Sequence, residues 1–294
     1  MVIQMNYIIF DLEWNNAYCS KIKKGVNEII EIGAIKLDEN LKLVDTFKQL
    51  VKPELTKKLN SRVKRLTHIT NTDVESGIGF LDAVEAFGNW AGDGDNLFMS
   101  WSNTDLYVLC QCISLYRTDC SIPFIKKYMD VQQYCQSFFT DLDNGNQISL
   151  SNAAIKLEIS IDEAALHRAL ADCFLTAECL KRVFDGQKID GFVKICDEHF
   201  FPRLLFKSYY ITDLEVYRDE LDTLEYLCPH CKEPLVRKKA WENINRSFCT
   251  SFACKSCKKH FWVCVTAKQE YKRIVTKIRI ARERKKPSAK KRNK

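Results

Sequence analysis

Residues 7–14 of the chain read Tyr-Ile-Ile-Phe-Asp-Leu-Glu-Trp, an apolar run that carries two acids, Asp11 and Glu13. Its β-branched and aromatic residues predict a strand with little exposed surface. Because successive side chains of a strand alternate between its two faces, both carboxylates point to the same face. Buried carboxylates that share a face repel each other unless a cation neutralises them. The run therefore favours a divalent metal site over an exposed sheet face with solvated acids.

The sequence around this strand alternates between predicted strands and helices. Residues 27–37 and 41–51 continue the first strand as a meander. A helix is predicted over residues 73–90, because Gly- and Asp-rich residues follow it. Further strands are predicted near residues 96–100 and 128–131, and further helices over 104–116, from about 149–151, and over 162–184. This order predicts an α/β sandwich with a mixed sheet.

Several segments resemble the motifs of one known family. Residues 10–14, Phe-Asp-Leu-Glu-Trp, resemble the first motif of the DEDDh exonucleases, the DnaQ-like group that includes RNase T and the Eri-type RNA exonucleases, and the chain is most similar to the Eri-type branch. Residues 27–34, Asn-Glu-Ile-Ile-Glu-Ile-Gly-Ala, are similar to that family's second strand. Residues 65–70, Arg-Leu-Thr-His-Ile-Thr, resemble its Leu-Thr-Gly-Ile-Thr segment, with His68 at the position of the Gly.

The remaining motifs of that family are matched further along the chain. Residues 98–105 look like the second motif, a strand that opens into a helix carrying Asp105. Residues 167–172, His-Arg-Ala-Leu-Ala-Asp, match the third motif, in which His167 stands in a loop or first turn before Asp172. The resemblance implies an RNase H-like fold, a mixed five-stranded sheet flanked by helices.

The resemblance also implies a chemistry. Hydrolysis of a phosphodiester needs charge to be stabilised on the phosphoryl oxygens, the attacking water and the leaving 3′ oxygen, and two metal ions about 4 Å apart can do this. The residues that the resemblance assigns to two Mg²⁺ or Mn²⁺ ions are Asp11, Glu13, Asp105 and Asp172. It assigns the general base to His167, because a side chain that titrates near neutral pH can accept a proton from water.

Two cysteine pairs follow later in the chain. Cys228-Pro-His-Cys231 and Cys254-Lys-Ser-Cys257 are separated by 22 residues, which predicts one structural Zn²⁺ bound by four cysteines in a zinc ribbon. So small a unit has little core, so the metal would supply much of its folding free energy. Redox-active CxxC chemistry is the alternative, but neither pair stands in a βαβ context. Spare potential ligands nearby are His230, Cys249, His260 and Cys264, and His260 could replace one cysteine.

The charge of the chain is uneven. The whole chain has 45 Lys and Arg against 38 Asp and Glu, yet residues 268–294 contain 13 Lys and Arg against two Glu. Cations also alternate with aromatic residues between and after the cysteine pairs, the mixture expected for phosphate contact and base stacking. Beside a nuclease domain this favours nucleic-acid binding by the ribbon and the tail, and docking of a protein partner is the alternative.

Composition excludes several classes of protein. The 294 residues are 46% hydrophobic and 28% charged, which suits one medium and one smaller domain rather than a disordered or fibrous chain. The apolar stretches are shorter than the roughly 18 residues of a membrane span. No export signal is evident, so the 14 cysteines are interpreted as reduced thiols, buried small side chains or metal ligands. The expected location is the cytoplasm.

The predicted organisation is an exonuclease domain over residues 1–186, a helical linker over 187–226, a zinc ribbon over 227–267, and a basic tail over 268–294 that is helical at first. The predicted function is 3′-to-5′ hydrolysis of single-stranded nucleic acid to nucleoside 5′-monophosphates, with RNA favoured. A single-stranded DNA exonuclease of repair remains an alternative, as does a nucleic-acid-binding protein that no longer cuts. The sequence identifies no substrate-binding residues and leaves the oligomeric state open.

Overall fold

A computed structural model describes residues 5–139, 147–161 and 167–282. The chain divides into two compact units, Met1–Leu205 and Phe206–Lys294. The boundary between the two units along the chain therefore falls within residues 187–226, which the sequence analysis assigned to a linker. Within the described residues, no helix is long and apolar enough to cross a membrane.

The first unit is built on one mixed sheet. Its strands are β1 (Met5–Cys19), β2 (Lys24–Leu37), β3 (Leu43–Leu50), β4 (Asp95–Ser100), β5 (Lys127–Asp130) and β6 (Lys194–Ile195). They lie in the order β3-β2-β1-β4-β5-β6. The first three strands form the predicted antiparallel meander, β4 and β5 run parallel to β1, and β6 is antiparallel to β5. The predicted mixed sheet is confirmed, with the two-residue β6 in addition to the five expected strands.

Helices cover both faces of this sheet. They are α1 (Ser61–Thr67), α2 (Asn71–Glu75), α3 (Phe80–Ala91), α4 (Asn103–Tyr116), α5 (Val131–Gln136), α6 (Leu150–Lys156), α7 (Ala169–Val183) and α8 (Phe200–Leu205), with a 3₁₀ turn at Ile189–Phe192. The start of the helix predicted over residues 162–184 lies outside the described residues, and α7 begins at Ala169.

The prediction of a single helix over residues 73–90 is wrong, because α2 ends at Glu75 and α3 begins at Phe80. The N–H of Lys52 donates to the carbonyl of Ile78, and the N–H of Ile78 donates to the carbonyl of Leu50. A Cβ atom on Gly77 would lie 2.7 Å from the carbonyl oxygen of Leu50, so only glycine allows this close approach. These contacts tie the chain to the end of β3 where a continuous helix would have to pass.

β1 is the central strand and separates two cores. Ile8, Phe10 and Leu12 pack in a core that includes residues of α3 and α4. Tyr7 and Ile9 pack in a second core with residues of α5, α6 and α7. Burial of such a side chain stabilises the fold by about 1.5–3 kcal/mol. This alternation determines on which face of the sheet the following side chains of β1 lie.

The second unit is a β-sheet with one covering helix. Its elements are β7 (Tyr209–Ile211), α9 (Leu214–Thr223), β8 (Leu235–Arg237), β9 (Glu242–Ile244), β10 (Ser247–Cys254), β11 (His260–Glu270) and β12 (Arg273–Arg282). The main path is β12-β11-β10-β8, with β7 paired to β11 and β9 to β10. Tyr217 of α9 stacks on Phe248 at 5.7 Å between ring centroids, and its hydroxyl contacts that of Thr276. One face of the sheet thus packs against α9.

The helical start predicted for the basic tail is wrong, because residues 273–282 form β12. Ile274, Thr276, Ile278 and Ile280 stand at every second position, which is the period of a strand. Branching at Cβ disfavours a helix at these positions, and the full-length pairing with β11 satisfies the backbone. The residues of the predicted tail from 283 onward lie outside the described residues.

Candidate active site and four-cysteine site

Asp11 and Glu13 lie on the face of β1 that α7 covers. They share the odd-numbered face with Tyr7 and Ile9, whose neighbours include residues of α7. β1 is hydrogen-bonded to β2 along its length and to β4 over its first part, so both carboxylates stand on a central strand. The structure therefore places them on one face, as the sequence predicts.

Asp172 reaches this face because α7 passes very close to β2. Gly33 is paired with Asp11 in the β1–β2 ladder. A Cβ atom on Gly33 would lie 2.4 Å from the backbone nitrogen of Leu170, in the first turn of α7. The thiol of Cys173 also contacts the carbonyl of Gly33, at 3.4 Å. A glycine at this position is thus required for the helix to bring Asp172 to the strand.

Three carboxylates form a compact group at this point. Asp11, Glu13 and Asp172 each contribute one oxygen, and these oxygens all lie within 4.8 Å of one another. Mg²⁺ and related hard cations bind carboxylate oxygens at about 2.0–2.6 Å, so oxygens this close can share an ion. The donor set fits a divalent cation.

Asp105 stands beside this group but outside it. It lies in the first turn of α4, whose N-terminus is capped by the Ser102 side chain. Its Oδ1 accepts a hydrogen bond from the backbone N–H of Leu12, between the two acids of β1, at 3.3 Å. The side chain is almost fully buried. The structure thus brings the fourth predicted acid to the same strand without adding it to the three-oxygen group.

The electrostatics of these acids explain why they need a cation. Burial raises the pKa of Glu13 to about 9, with Asp172 as the next contributor. Burial, followed by repulsion from Asp105 and Glu13, holds the pKa of Asp11 well above its usual range. Burial likewise raises the pKa of Asp105 to about 7, although the N–H of Leu12 opposes this shift. Simultaneous ionisation of several of these carboxylates is therefore unfavourable unless a cation binds among them.

His167 lies just before α7, outside the helix, with an exposed side chain. Its φ of 63° is in the left-handed region, which is unfavourable for a residue other than glycine. Burial raises the pKa of Asp172, and the charge and backbone N–H of His167 oppose that shift. The backbone of His167 therefore lies beside the Asp172 carboxylate.

An ion pair between Arg168 and a buried carboxylate fixes the segment that carries His167, and the sequence did not predict it. Arg168 donates to both oxygens of Glu31, at 3.2 and 2.7 Å, and the N–H of Ala169 donates to the same carboxylate at 3.2 Å. The Glu31 side chain is fully buried and lies opposite Glu13 in the ladder. One signal was present in the sequence, because an acid inside an Ile-rich strand needs a partner. Its identity depends on long-range packing.

The second ligand group lies at two turns of the second unit. The sulfurs of Cys228, Cys231, Cys254 and Cys257 all lie within 4.8 Å of one another. The shortest contacts join the two pairs, at 3.7 Å for Cys228–Cys257 and 3.4 Å for Cys231–Cys254. Four thiolates around one Zn²⁺ at about 2.3 Å would lie roughly 3.8 Å apart, so the group could bind zinc.

The turn geometry and polarity also suit thiolate ligands. Lys232 and Lys258, each directly after the second cysteine of a pair, have left-handed φ values of 63° and 57°. The backbone N–H of Cys257 donates to Cys254 and lowers the pKa of that thiol to about 6. A thiol with a lowered pKa ionises more readily for metal binding.

The spare ligands predicted from the sequence lie outside this group. Cys249 and Cys264 stand directly opposite each other on β10 and β11 and form a disulfide. The expectation that they are reduced thiols or spare ligands is therefore wrong. Cross-strand register, which brings their Cα atoms to 4.2 Å, creates this pair. Among the described residues, neither His230 nor His260 joins the four sulfurs.

Comparison with known proteins agrees with this architecture. The profile of the RNase T exonuclease family matches residues 8–180. The probable 3′-5′ exonuclease KapD of Bacillus subtilis is 29% identical over 114 residues, which cover 39% of this chain and 54% of KapD. The crystallographic nuclease domain of 3′hExo, a DEDDh family member bound to rAMP, is 23% identical with a TM-score of 0.53, covering 65% of this chain and 96% of that one.

A second solved structure shows the same fold. It describes 3′-end recognition of a histone mRNA stem-loop by a 3′-exonuclease, with 22% identity, a TM-score of 0.53, and coverage of 65% of this chain and 84% of that one. The family match spans more than half of the chain, so the protein belongs to the RNase T exonuclease family and has its DEDDh-type exonuclease fold. The region of similarity spans about half of the length of KapD.

Proposed function

We propose that the protein is a 3′-to-5′ exonuclease that hydrolyses single-stranded nucleic acid and releases nucleoside 5′-monophosphates. The observation that carries this proposal is the convergence of Asp11, Glu13 and Asp172 within 4.8 Å, with Asp105 bonded to the same strand. These are the acids at the family's motif positions, and His167 stands beside them.

The four carboxylates would hold two divalent ions, Mg²⁺ or Mn²⁺. Such ions neutralise charge on the phosphoryl oxygens and on the leaving 3′ oxygen. The raised pKa of Glu13, about 9, supports the assignment, because a cation favours the ionised carboxylate that burial disfavours.

His167 would act as the general base and accept a proton from the attacking water. Its side chain is exposed to solvent, its backbone lies beside Asp172, and the Arg168–Glu31 ion pair holds the adjoining backbone. Proton transfer needs a fixed donor–acceptor distance, so this anchoring supports the role.

RNA is the favoured substrate. Of the similar proteins, one recognises a histone mRNA stem-loop and another is bound to rAMP. Single-stranded DNA, as in repair, is the alternative, because the chemistry at the phosphodiester is the same for both sugars.

The four-cysteine group would bind one structural Zn²⁺, and its unit would help to hold nucleic acid. Exposed Arg273, Lys277 and Arg279 on β12 support phosphate contact, and a protein partner is the competing occupant. We assign the protein to the cytoplasm, because twelve of its 14 cysteines are free, four of them in the ligand group, against a single cross-strand disulfide.

The test is a time course on matched 5′-labelled single-stranded RNA and DNA of one sequence, with Mg²⁺ or Mn²⁺, beside the Asp11→Asn protein. The proposal expects a ladder that shortens from the 3′ end, faster on RNA, and that is absent for the variant. Faster shortening of DNA would select the repair alternative. Binding without shortening of either strand would leave a non-cutting nucleic-acid-binding protein, and undiminished cleavage in EDTA would exclude the metal-dependent mechanism.

A further inference from the structure

A run of unpaired cations follows β3 in the first unit. Residues 55–72 contain no Asp or Glu, and four exposed cations stand within them. These are Lys57, Lys58, Arg62 and Arg65, here called the basic rim. None of the four forms an ion pair with any residue in 5–139, 147–161 or 167–282. Arg62 and Arg65 are three residues apart on α1, so they lie on neighbouring positions of one helix face.

A buried carboxylate holds the loop that carries the first half of the rim. Glu28 of β2 is only 7% exposed. Its Oε1 accepts hydrogen bonds from the backbone N–H groups of Glu54 and Leu55, both at 2.6 Å. Its Oε2 accepts from the hydroxyl of Thr56 at 2.9 Å. Lys57 and Lys58 follow directly, so their backbone positions are fixed before any ligand binds.

A second buried residue joins this loop to the strand of the candidate active site. The Asn15 side chain donates to the hydroxyl of Thr56 at 3.1 Å and accepts from the N–H of Asn60, the N-cap of α1, at 2.9 Å. Asn15 is two residues beyond Glu13 on β1, about 7 Å along a strand. The basic rim therefore begins beyond Asn15, on the side of the carboxylate group toward the C-terminal end of β1.

We propose that the basic rim binds the phosphates of the substrate strand on the 5′ side of the bond that is cut. The inference rests on the proposed exonuclease function, which places the 3′ end at the carboxylates. The four cations form no ion pair within the described residues, although Glu54 and Glu75 line the same surface pocket as Lys57 and Lys58. Clustered like charges repel each other, and a polyanion neutralises them. A strand whose end lies among the carboxylates must leave them, and the rim offers phosphate contacts within a few nucleotides.

The test measures binding apart from cleavage. The full-length Asp11→Asn protein is titrated into 5′-fluorescein-labelled 12-mers of oligo(U) and oligo(dT), and anisotropy is followed at several KCl concentrations. Two variants are added to it, Lys57→Gln with Lys58→Gln, and Arg62→Gln with Arg65→Gln. Each lost phosphate contact removes about 0.7 from the slope of log K against log salt. We expect each pair to lower the slope by about 1.4 and to weaken binding about 25-fold at ~0.1 M salt.

The matched control is Lys42→Gln with Lys126→Gln. Both lysines are exposed and lie near the level of Tyr7. Lys42 directly precedes Leu43, which pairs with Leu37, the partner of Tyr7, and Lys126 directly precedes Lys127, which pairs with Leu97, the other partner of Tyr7. Tyr7 is six residues before Glu13, about 20 Å along the strand. We expect this control to retain the affinity and salt slope of the parent. Rim variants that match the control would overturn the proposal.

A comparison of substrate lengths separates phosphate contact from a general defect. In the cleaving protein, the rim substitutions should raise KM for a 12-mer far more than for a dinucleotide, which is too short to reach the rim. Equal effects on both lengths would contradict the proposal. If the protein binds nucleic acid but does not cut it, the anisotropy result still tests whether the basic rim binds phosphates. The proposed exonuclease function would then fail independently of that result.

Discussion

The carboxylate group of the first unit and the cysteine group of the second are assembled in different ways. Asp11, Glu13 and Asp172 come from a central strand and a distant helix, and two apolar cores position those elements. The four cysteines lie within 29 residues of one another on two short turns. The first group is thus a product of a fold that forms around it. The second is formed by residues close together in the sequence, at turns of a sheet that has an apolar core of its own.

The two groups also differ in their cost to the metal-free protein. Burial raises the pKa of each of the three acids, so ionised carboxylates destabilise the first unit. The cysteine thiols can stay neutral without metal, but their turns then lose the bonds that close them. Removing one ligand should therefore stabilise the metal-free first unit and destabilise the second unit.

The largest expected effect is at the cysteine group. Cys254→Ser should release zinc and destabilise the second unit, because the thiolate–metal bonds close the two cysteine turns, while the apolar core of the sheet and the Cys249–Cys264 disulfide remain. Metal analysis and hydrogen exchange measure this, with amides of β10–β12 losing protection while those of β1–β4 keep theirs. Cys120→Ser, which replaces a free cysteine of the first unit, is the control and should retain the zinc and the protection of β10–β12. If the Cys254→Ser protein kept its zinc and the hydrogen-exchange protection of β10–β12, the proposed difference between the two ligand groups would be wrong.

At the carboxylate group, Asp11→Asn should abolish cleavage and leave the fold intact. Loss of several kcal/mol of transition-state stabilisation corresponds to a rate reduction of roughly 10³-fold or more. Single-turnover cleavage of labelled RNA measures it. Circular dichroism of the same sample should match the wild type, and unfolding of the variant would show that this group, like the cysteines, maintains its unit.

The same substitution should stabilise the protein when Mg²⁺ is absent. The pKa of Glu13, about 9, exceeds the roughly 4.3 of an unfolded glutamate, so between these values the folded state binds more protons. The metal-free wild type should accordingly lose stability as the pH rises from about 5 to about 8. Asp11→Asn removes one repelling neighbour, so its loss over this range should be smaller.

Thermal melting after dialysis, without a chelator, keeps thiolate-bound zinc in place during that comparison. One kcal/mol corresponds to about 2–4 °C for a unit of this size. Added Mg²⁺ should raise the melting temperature of the wild type more than that of Asp11→Asn. Identical pH profiles of the two proteins would contradict the repulsion that the geometry implies.

Local pattern predicted most of the first unit. Ile-rich alternation over residues 27–37 and the apolar run around Asp11 indicate buried strands, and the motif spacing predicted which acids meet. The break at Gly77 was missed, because it depends on contact with the end of β3. The Arg168–Glu31 pair was missed for the same reason, since its partners are 137 residues apart.

In the second unit the sequence predicted the ligands better than the strands. CxxC spacing is a local signal, and it marked the four cysteines that the structure brings together. β12 was mistaken for a helix because its cations masked the two-residue alternation of Ile274, Thr276 and Ile278. The Cys249–Cys264 pair depends on the register of β10 and β11, which no spacing rule supplies.

The smallest expected effect compares backbone strain in the two groups. His167 and Lys232 share a left-handed φ of 63°. Glycine adopts this conformation without the penalty of a Cβ atom, so His167→Gly and Lys232→Gly should each be about 1 kcal/mol more stable than the alanine variant at the same position. Urea unfolding measures the gain. Only His167→Gly should also lower kcat, by about 10²–10⁴-fold, because it removes a base. Equal activity of the two glycine variants would show that His167, like Lys232, has no role in catalysis.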